Sequence, residues 1–105
     1  MYQLKTYTLS TAEALHQYAT VHWPRHIASM PKFGATVHGF WTQHADGQHR
    51  LIALLSFEEG VRPDAFLDAY VASPELAADM EGFDVDAILG VEDLLLEPVA
   101  GSPLG

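Results

Sequence analysis

The order strand, helix, strand, strand, helix, strand predicts an α+β fold, a ferredoxin-like βαββαβ sandwich with one four-stranded sheet and its helices on one face. Three observations carry the prediction. Tyr2 to Leu9 alternates in polarity and is rich in Tyr, Thr and Leu, as a strand should be. Ala45-Asp46-Gly47-Gln48 joins two apolar runs through Asp-Gly, the dipeptide a tight hairpin favours. A segment of helical period lies on either side of that hairpin.

Taken in order, the first strand spans Tyr2 to Leu9. Ser10 with Glu13 three residues on reads as a capping box opening a helix at Thr11. That helix runs to about Trp23, where Pro24 removes a donor and biases Trp23 away from helical backbone, so a kink or restart is expected. Lys32-Phe33-Gly34 closes the segment. Ala35 to Gln43 and His49 to Phe57 are the hairpin strands. Pro63 suits the first turn of a second helix through about Ala72. Ser73-Pro74-Glu75 then reads as a fresh N-cap with proline at the first helical position, and Gly82 as the stop. Asp84 to Gly90 fits one short helical turn, Val91 to Glu97 the last strand, and Pro98 ends it. Residues 1–99 are expected to form one domain and residues 100–105, rich in turn formers, a C-terminal tail.

Leu51, Ala53, Leu55 and Phe57 point one way on the third strand while Ile52 and Leu54 point the other, so both faces of the sheet are apolar. A second copy across a two-fold axis is the simplest cover for the second face, which predicts a homodimer.

Composition bounds the functional classes. A chain of 105 residues supports a single core. A net charge of −9, with two Lys and three Arg and no basic stripe, opposes binding to a phosphate backbone, so no nucleic-acid partner is expected. No apolar run approaches the ~20 residues a bilayer span requires, so no membrane association is expected. Tyr2 to Lys5 already alternates like a strand where a leader would be basic and then apolar, and the expected location is the cytoplasm. The chain has no cysteine, which excludes disulfides and thiolate metal sites. It also lacks a Gly-rich phosphate loop, a nucleophile elbow and a dinucleotide fingerprint.

The chemistry resides in six histidines, concentrated in His22-Trp23-Pro24-Arg25-His26 and at His38. Histidine changes charge near neutrality and is where acid/base chemistry is sought first. On a continuous helix Leu15, Tyr18, Ala19, His22 and His26 share one sector facing the sheet. Two histidines four residues apart can ligate a metal, but Pro24 lies between them and no cysteine completes the set, so neither metal nor other cofactor is expected. The plainer alternative is that His22 and His26 are half-buried and bonded to backbone groups. His38 is placed with Thr36 and Phe40 on one strand face, opposite Val37, Gly39 and Trp41; pointing inward it would be a candidate base. Gly39 inside a strand suggests a bulge. His16, His44 and His49 are expected at the surface.

Tyr2-Gln3-Leu4-Lys5-Thr6-Tyr7 resembles the opening strand of NIPSNAP-type proteins of the dimeric α+β barrel superfamily, and His22-Trp23-Pro24-Arg25-His26, Ser73-Pro74-Glu75 and Leu96-Glu97-Pro98 resemble later stretches of bacterial members. Lys5 stands where an arginine is more usual, offering a point charge in place of a planar fork. The resemblance implies a homodimer whose sheets form a barrel, with a pocket between sheet and helices in each subunit, and a place in bacterial metabolism. Fold alone does not choose among the activities of that superfamily.

The combined expectation is cofactor-independent acid/base chemistry on a small hydrophobic metabolite, of cyclisation, oxygenation or isomerisation type. His22, His26 and His38 are the candidate bases. Tyr7, Tyr18, Trp23, Arg25, Phe40, Trp41 and Tyr70 are the candidate substrate-binding residues, with Tyr7 or Arg25 stabilising a developing oxyanion. The competing expectation is a non-catalytic ligand-binding or structural dimer.

Overall fold

The sheet is built around β1 (Tyr2–Leu9), which has a partner on both sides in the computed structural model of residues 1–104. Gly105, the last residue of the expected tail, lies outside the described residues. On one side β1 pairs antiparallel with β3 (Gln48–Phe57), and on the other with β4 (Ile88–Leu96). Strand β2 (Ala35–Ala45) pairs with β3, giving the order β2-β3-β1-β4. This antiparallel order with both helical segments in the crossovers is the α+β arrangement expected from the sequence. The turn between β2 and β3 is the two-residue Asp46-Gly47, and both residues have positive φ, 52° and 71°, which matches the twist of the strands it joins.

The first helical segment begins one residue later than the capping-box reading. Thr11, not Ser10, is the N-cap, its side chain accepting from the Ala14 amide at 3.0 Å to open α1 (Ala12–Gln17). The expected restart falls at Trp23, but without the departure from helical backbone expected of that residue. Tyr18–His22 instead forms a π-helical turn, in which the Trp23 amide bonds to the Tyr18 carbonyl five residues back, and α2 (Trp23–Ser29) starts immediately with Pro24 in its first turn. A proline there has no amide to leave unsatisfied, and Trp23 keeps helical backbone angles of −64° and −37°. The inserted residue rotates everything after it, so the continuous-wheel sector containing both histidines is replaced by one running through Leu15, Tyr18, Trp23 and Met30.

Two short helices form the second crossover. Helix α3 (Pro63–Val71) has Pro63 in its first turn, and α4 (Pro74–Asp79) is capped by Ser73, whose hydroxyl accepts from the Leu76 amide at 3.1 Å. A 3-10 turn at Val85–Ala87 leads into β4, which begins three residues before the expected Val91.

Leu51, Ala53 and Leu55 of β3 are fully buried under the helices, together with Leu9, Leu15, Trp23 and Phe66. The opposite face has no such cover. The molecule is only 19 Å thick along its short axis, room for one sheet and one helical layer. Leu4, Ile52 and Leu54 are half-buried there, and Trp41, Leu94 and Leu96 are exposed. Among the described residues no helix is long and apolar enough to cross a membrane.

Gly34 connects the first helical segment to β2 with φ +91°, a conformation other residues adopt only under strain, and a Cβ there would meet the Val61 side chain at 2.8 Å. Gly34→Ala is expected to lower unfolding free energy by roughly 2–3 kcal/mol in urea titrations, from backbone strain and the clash with Val61 together.

Candidate functional site

His22 at the end of the π turn and Arg25, His26 and Ser29 of α2 stand at the i, i+3, i+4, i+7 spacing of a single stripe, and all four converge on Asp79 at the end of α4. His22 Nδ1 donates to the Asp79 carbonyl at 2.7 Å, and Arg25 donates to the same carbonyl at 3.3 Å. The Ser29 hydroxyl donates to Asp79 Oδ1 at 3.0 Å. Tyr70 of α3 donates to Asp79 Oδ2 at 2.5 Å, and His26 Nδ1 bonds to the Tyr70 hydroxyl and lies 3.5 Å from Oδ2. The Asp79 side chain is almost fully buried, yet each of its carboxylate oxygens accepts a hydrogen bond.

These partners assign the tautomers. Because the single Tyr70 proton goes to Asp79, the Tyr70 oxygen must accept from His26 Nδ1–H, leaving the His26 lone pair on Nε2. Burial pushes His26 down to about 4, with the Asp79 carboxylate acting in the opposite direction, so the ring is neutral at physiological pH. Burial, and then the bond to Asp79, hold Tyr70 well above its ordinary value.

His26 and Tyr70 form part of the wall of a cavity of about 370 Å³ between the helices and the β1–β4 side of the sheet. Its other walls include Tyr7 and Tyr18, the apolar Met30, Phe66, Leu76, Met80 and Ile88, and the ion pair Lys5–Asp93. Tyr7 is raised well above the usual phenol value by burial and then by Tyr18, and burial pushes Tyr18 up to about 12, so both hydroxyls remain protonated donors.

Four of the residues singled out from the sequence therefore meet at this cavity: Tyr7, Tyr18, His26 and Tyr70. The others do not. His22 is fully buried with both ring nitrogens occupied, Nδ1 by Asp79 and Nε2 by the Gln17 amide at 3.2 Å, whose other proton goes to the Gly82 carbonyl at 3.0 Å. It has no free lone pair with which to act as a base. His38 is the extra residue of a β-bulge: Val37 pairs with Leu55 and Gly39 with Leu54, leaving His38 between them. The bulge reverses side-chain parity, so Phe40 turns to the core with Val37, while His38 is exposed on the opposite sheet face against Tyr2 and the Ser56 hydroxyl. Trp23 is a core residue packed on Tyr7, Tyr18, His26 and Phe40. Arg25 is committed to the Ala78, Asp79 and Glu81 carbonyls at the C-terminal end of α4, where a cation offsets the helix dipole. Trp41 lies on the uncovered face over Gly39, whose missing side chain admits its ring.

Sequence reasoning missed Asp79, Ser29 and Asp93, and noted Lys5 only as a point charge where an arginine is more usual. An acidic residue in a chain with fourteen carries no local signal, and only the meeting of α2 with α4 distinguishes Asp79. Lys5 did carry one, because strand parity put it on the same face as Gln3, Tyr7 and Leu9. Among the described residues no three His, Asp or Glu side chains converge as a metal site.

Comparison with known proteins extends the fold to a family. The NIPSNAP family model matches residues 2–103. A NIPSNAP domain protein from Burkholderia xenovorans superposes with a TM-score of 0.74 at 19% identity, covering 97% of both chains. A protein from Agrobacterium tumefaciens does so with a TM-score of 0.71 at 18% identity, covering 97% of this chain and 96% of the other. No curated protein matches the chain.

The His26 environment predicts an acid-side loss of stability. Its folded-state value, about 4, lies below the ordinary 6.5, so as pH falls the unfolded chain is protonated first. The contribution is full above pH 6.5 and is lost as pH falls toward about 4. It amounts to roughly 3 kcal/mol, read as a steeper fall of urea stability between neutral and acidic pH in wild type than in His26→Gln.

Proposed function

The chain belongs to the NIPSNAP family, and from that premise we propose a cytoplasmic, homodimeric enzyme that uses His26 as acid/base on a small apolar metabolite, without a cofactor. The observation supporting this most directly is a neutral histidine at the wall of an apolar cavity, one nitrogen fixed and the other without a partner among the described residues. His26 Nε2 takes a proton from an activated carbon, and the positive charge that forms is met through Nδ1–H by Tyr70 and, beyond it, Asp79. The arrangement follows the logic of a base oriented by a buried carboxylate, with a tyrosine interposed. The Tyr18 hydroxyl, which accepts from Tyr7 and keeps its own proton, is the donor available to a developing enolate oxygen. Loss and return of a proton suit isomerisation, cyclisation and the activation step of a cofactor-free oxygenation alike.

The non-catalytic reading draws its support from His22, which is saturated by structural bonds, and from His38, which lies far from the cavity. Proton exchange separates the two readings. In D2O, wild type should accelerate α-proton exchange of apolar ketones such as 2-octanone, followed by NMR, and His26→Gln should lose about 10²–10⁴-fold of that rate. The wild-type profile should stay flat through neutrality and fall only on an acid limb near pH 4, where His26 becomes protonated. No acceleration by wild type over buffer, or equal rates for both proteins, removes His26 as base.

The dimer rests on the uncovered apolar face made by Leu4, Ile52, Leu54, Trp41, Leu94 and Leu96. Sedimentation should give twice the chain mass of 11.5 kDa, and Leu54→Glu should give a less stable monomer, because an unpaired charge at a sheet-to-sheet contact is costly. A wild-type protein that sediments as a stable monomer overturns the assembly.

A further inference from the structure

Lys5 is the one Lys or Arg among the residues lining the cavity, in a chain with only five such cations and a net charge of −9. Strand parity fixes it on the core face of β1, between Gln3 and Tyr7, and it is only 3% exposed. Across β3 it faces Ala53, whose small side chain leaves room for the lysine stem. Across β4 it faces Asp93, which accepts from Nζ at 2.9 Å.

The two members of this ion pair are unequally placed. Lys5 is buried on a central strand, whereas the Asp93 side chain is 37% exposed on the edge strand. A lysine ammonium has three protons to donate, and among the described residues only Asp93 accepts one; the Tyr7 ring face, with its centroid 5.9 Å away, supplies the other nearby negative potential. Burying a cation with unused donors is costly unless something else completes its shell. The rest of the cavity wall, including Phe66, Leu76, Met80 and Ile88, offers no anion.

An apolar cavity with one inward cation, held by a partly exposed carboxylate, fits an amphiphilic acid. We propose that the cavity takes an apolar carboxylate, its body against the aliphatic and aromatic wall and its head on Lys5 Nζ in place of Asp93. This deepens the reading of the same cavity and rests on its being a ligand site; it does not require that His26 react with the bound molecule.

Octanoate and octanamide are matched probes, alike in length and differing in head charge, and calorimetric titration near neutral pH compares them directly. Octanoate should bind wild type about tenfold more tightly than octanamide, since a charge-assisted bond replaces a neutral one. Lys5→Met, which keeps the stem and removes the charge, should abolish that preference. Asp93→Asn removes the internal competitor at the cavity wall and should tighten octanoate binding severalfold, and octanamide binding much less. Equal affinity of wild type for the two probes, a preference that survives in Lys5→Met, or weaker octanoate binding by Asp93→Asn each overturns the proposal. Failure of wild type to bind either probe overturns it together with the cavity as a ligand site. Anion binding that persists while His26→Gln leaves proton exchange unchanged refutes only the catalytic reading.

Discussion

A single buried carboxylate organises the helical layer. Helix α4 is six residues long, too short to be stable by itself, and it is held because its last residue, Asp79, receives donors from α2 and α3 at once. Its carbonyl is taken by His22 and Arg25, and its two carboxylate oxygens by Ser29 and Tyr70. A charge buried with so complete a set of donors is tolerated, whereas loss of any one donor leaves an unsatisfied group in a low-dielectric setting. The same bonds that join the helices set the His26 tautomer, so packing of the layer and chemistry of the site cannot be separated.

The π-helical turn at Tyr18–His22 makes that convergence possible. One added residue rotates α2 relative to α1, which directs Trp23 into the core and brings the polar stripe of α2 round to face α4. Without it, His22 and His26 would follow Leu15 and Tyr18 onto the apolar sheet, where their ring nitrogens would find no partners. The insertion coincides with Pro24, whose missing amide makes a regular helix least favourable at that point.

The helices bind one another more closely than they bind the outer strand, and the cavity follows from this. The cavity lies between the helices and the β1–β4 side of the core face, where Lys5, Tyr7, Ile88, Val91 and Asp93 line it. Strand β4 is half-exposed only at Ile88 and otherwise open along its length, although Leu89, Val91, Leu94, Leu95 and Leu96 are apolar. The lysine on β1 and the aspartate on β4 meet in this cavity because they are register partners. On the other face the same two strands carry Leu4 and Leu94 with no helix above them.

The sequence by itself determined the elements and their order. Asp46-Gly47 dictated the hairpin, Ser73-Pro74 the start of α4, Gly34 the end of the first helical segment, and the alternation of β1 and β3 the two apolar faces, because each of these depends on local backbone geometry and side-chain period. Tyr7, Tyr18, His26 and Tyr70 were legible as an aromatic and histidine supply for a pocket. Tertiary structure alone decided which histidine faces that pocket. A π turn at Tyr18–His22 and a bulge at His38 each add one residue, and a one-residue shift moves every later side chain to a new face, an effect that no periodicity in composition records. It also decided the importance of Asp79 and Asp93, since an acidic side chain gains its role from the donors around it, and all of those donors except Tyr70 come from residues 50 or more positions away along the chain.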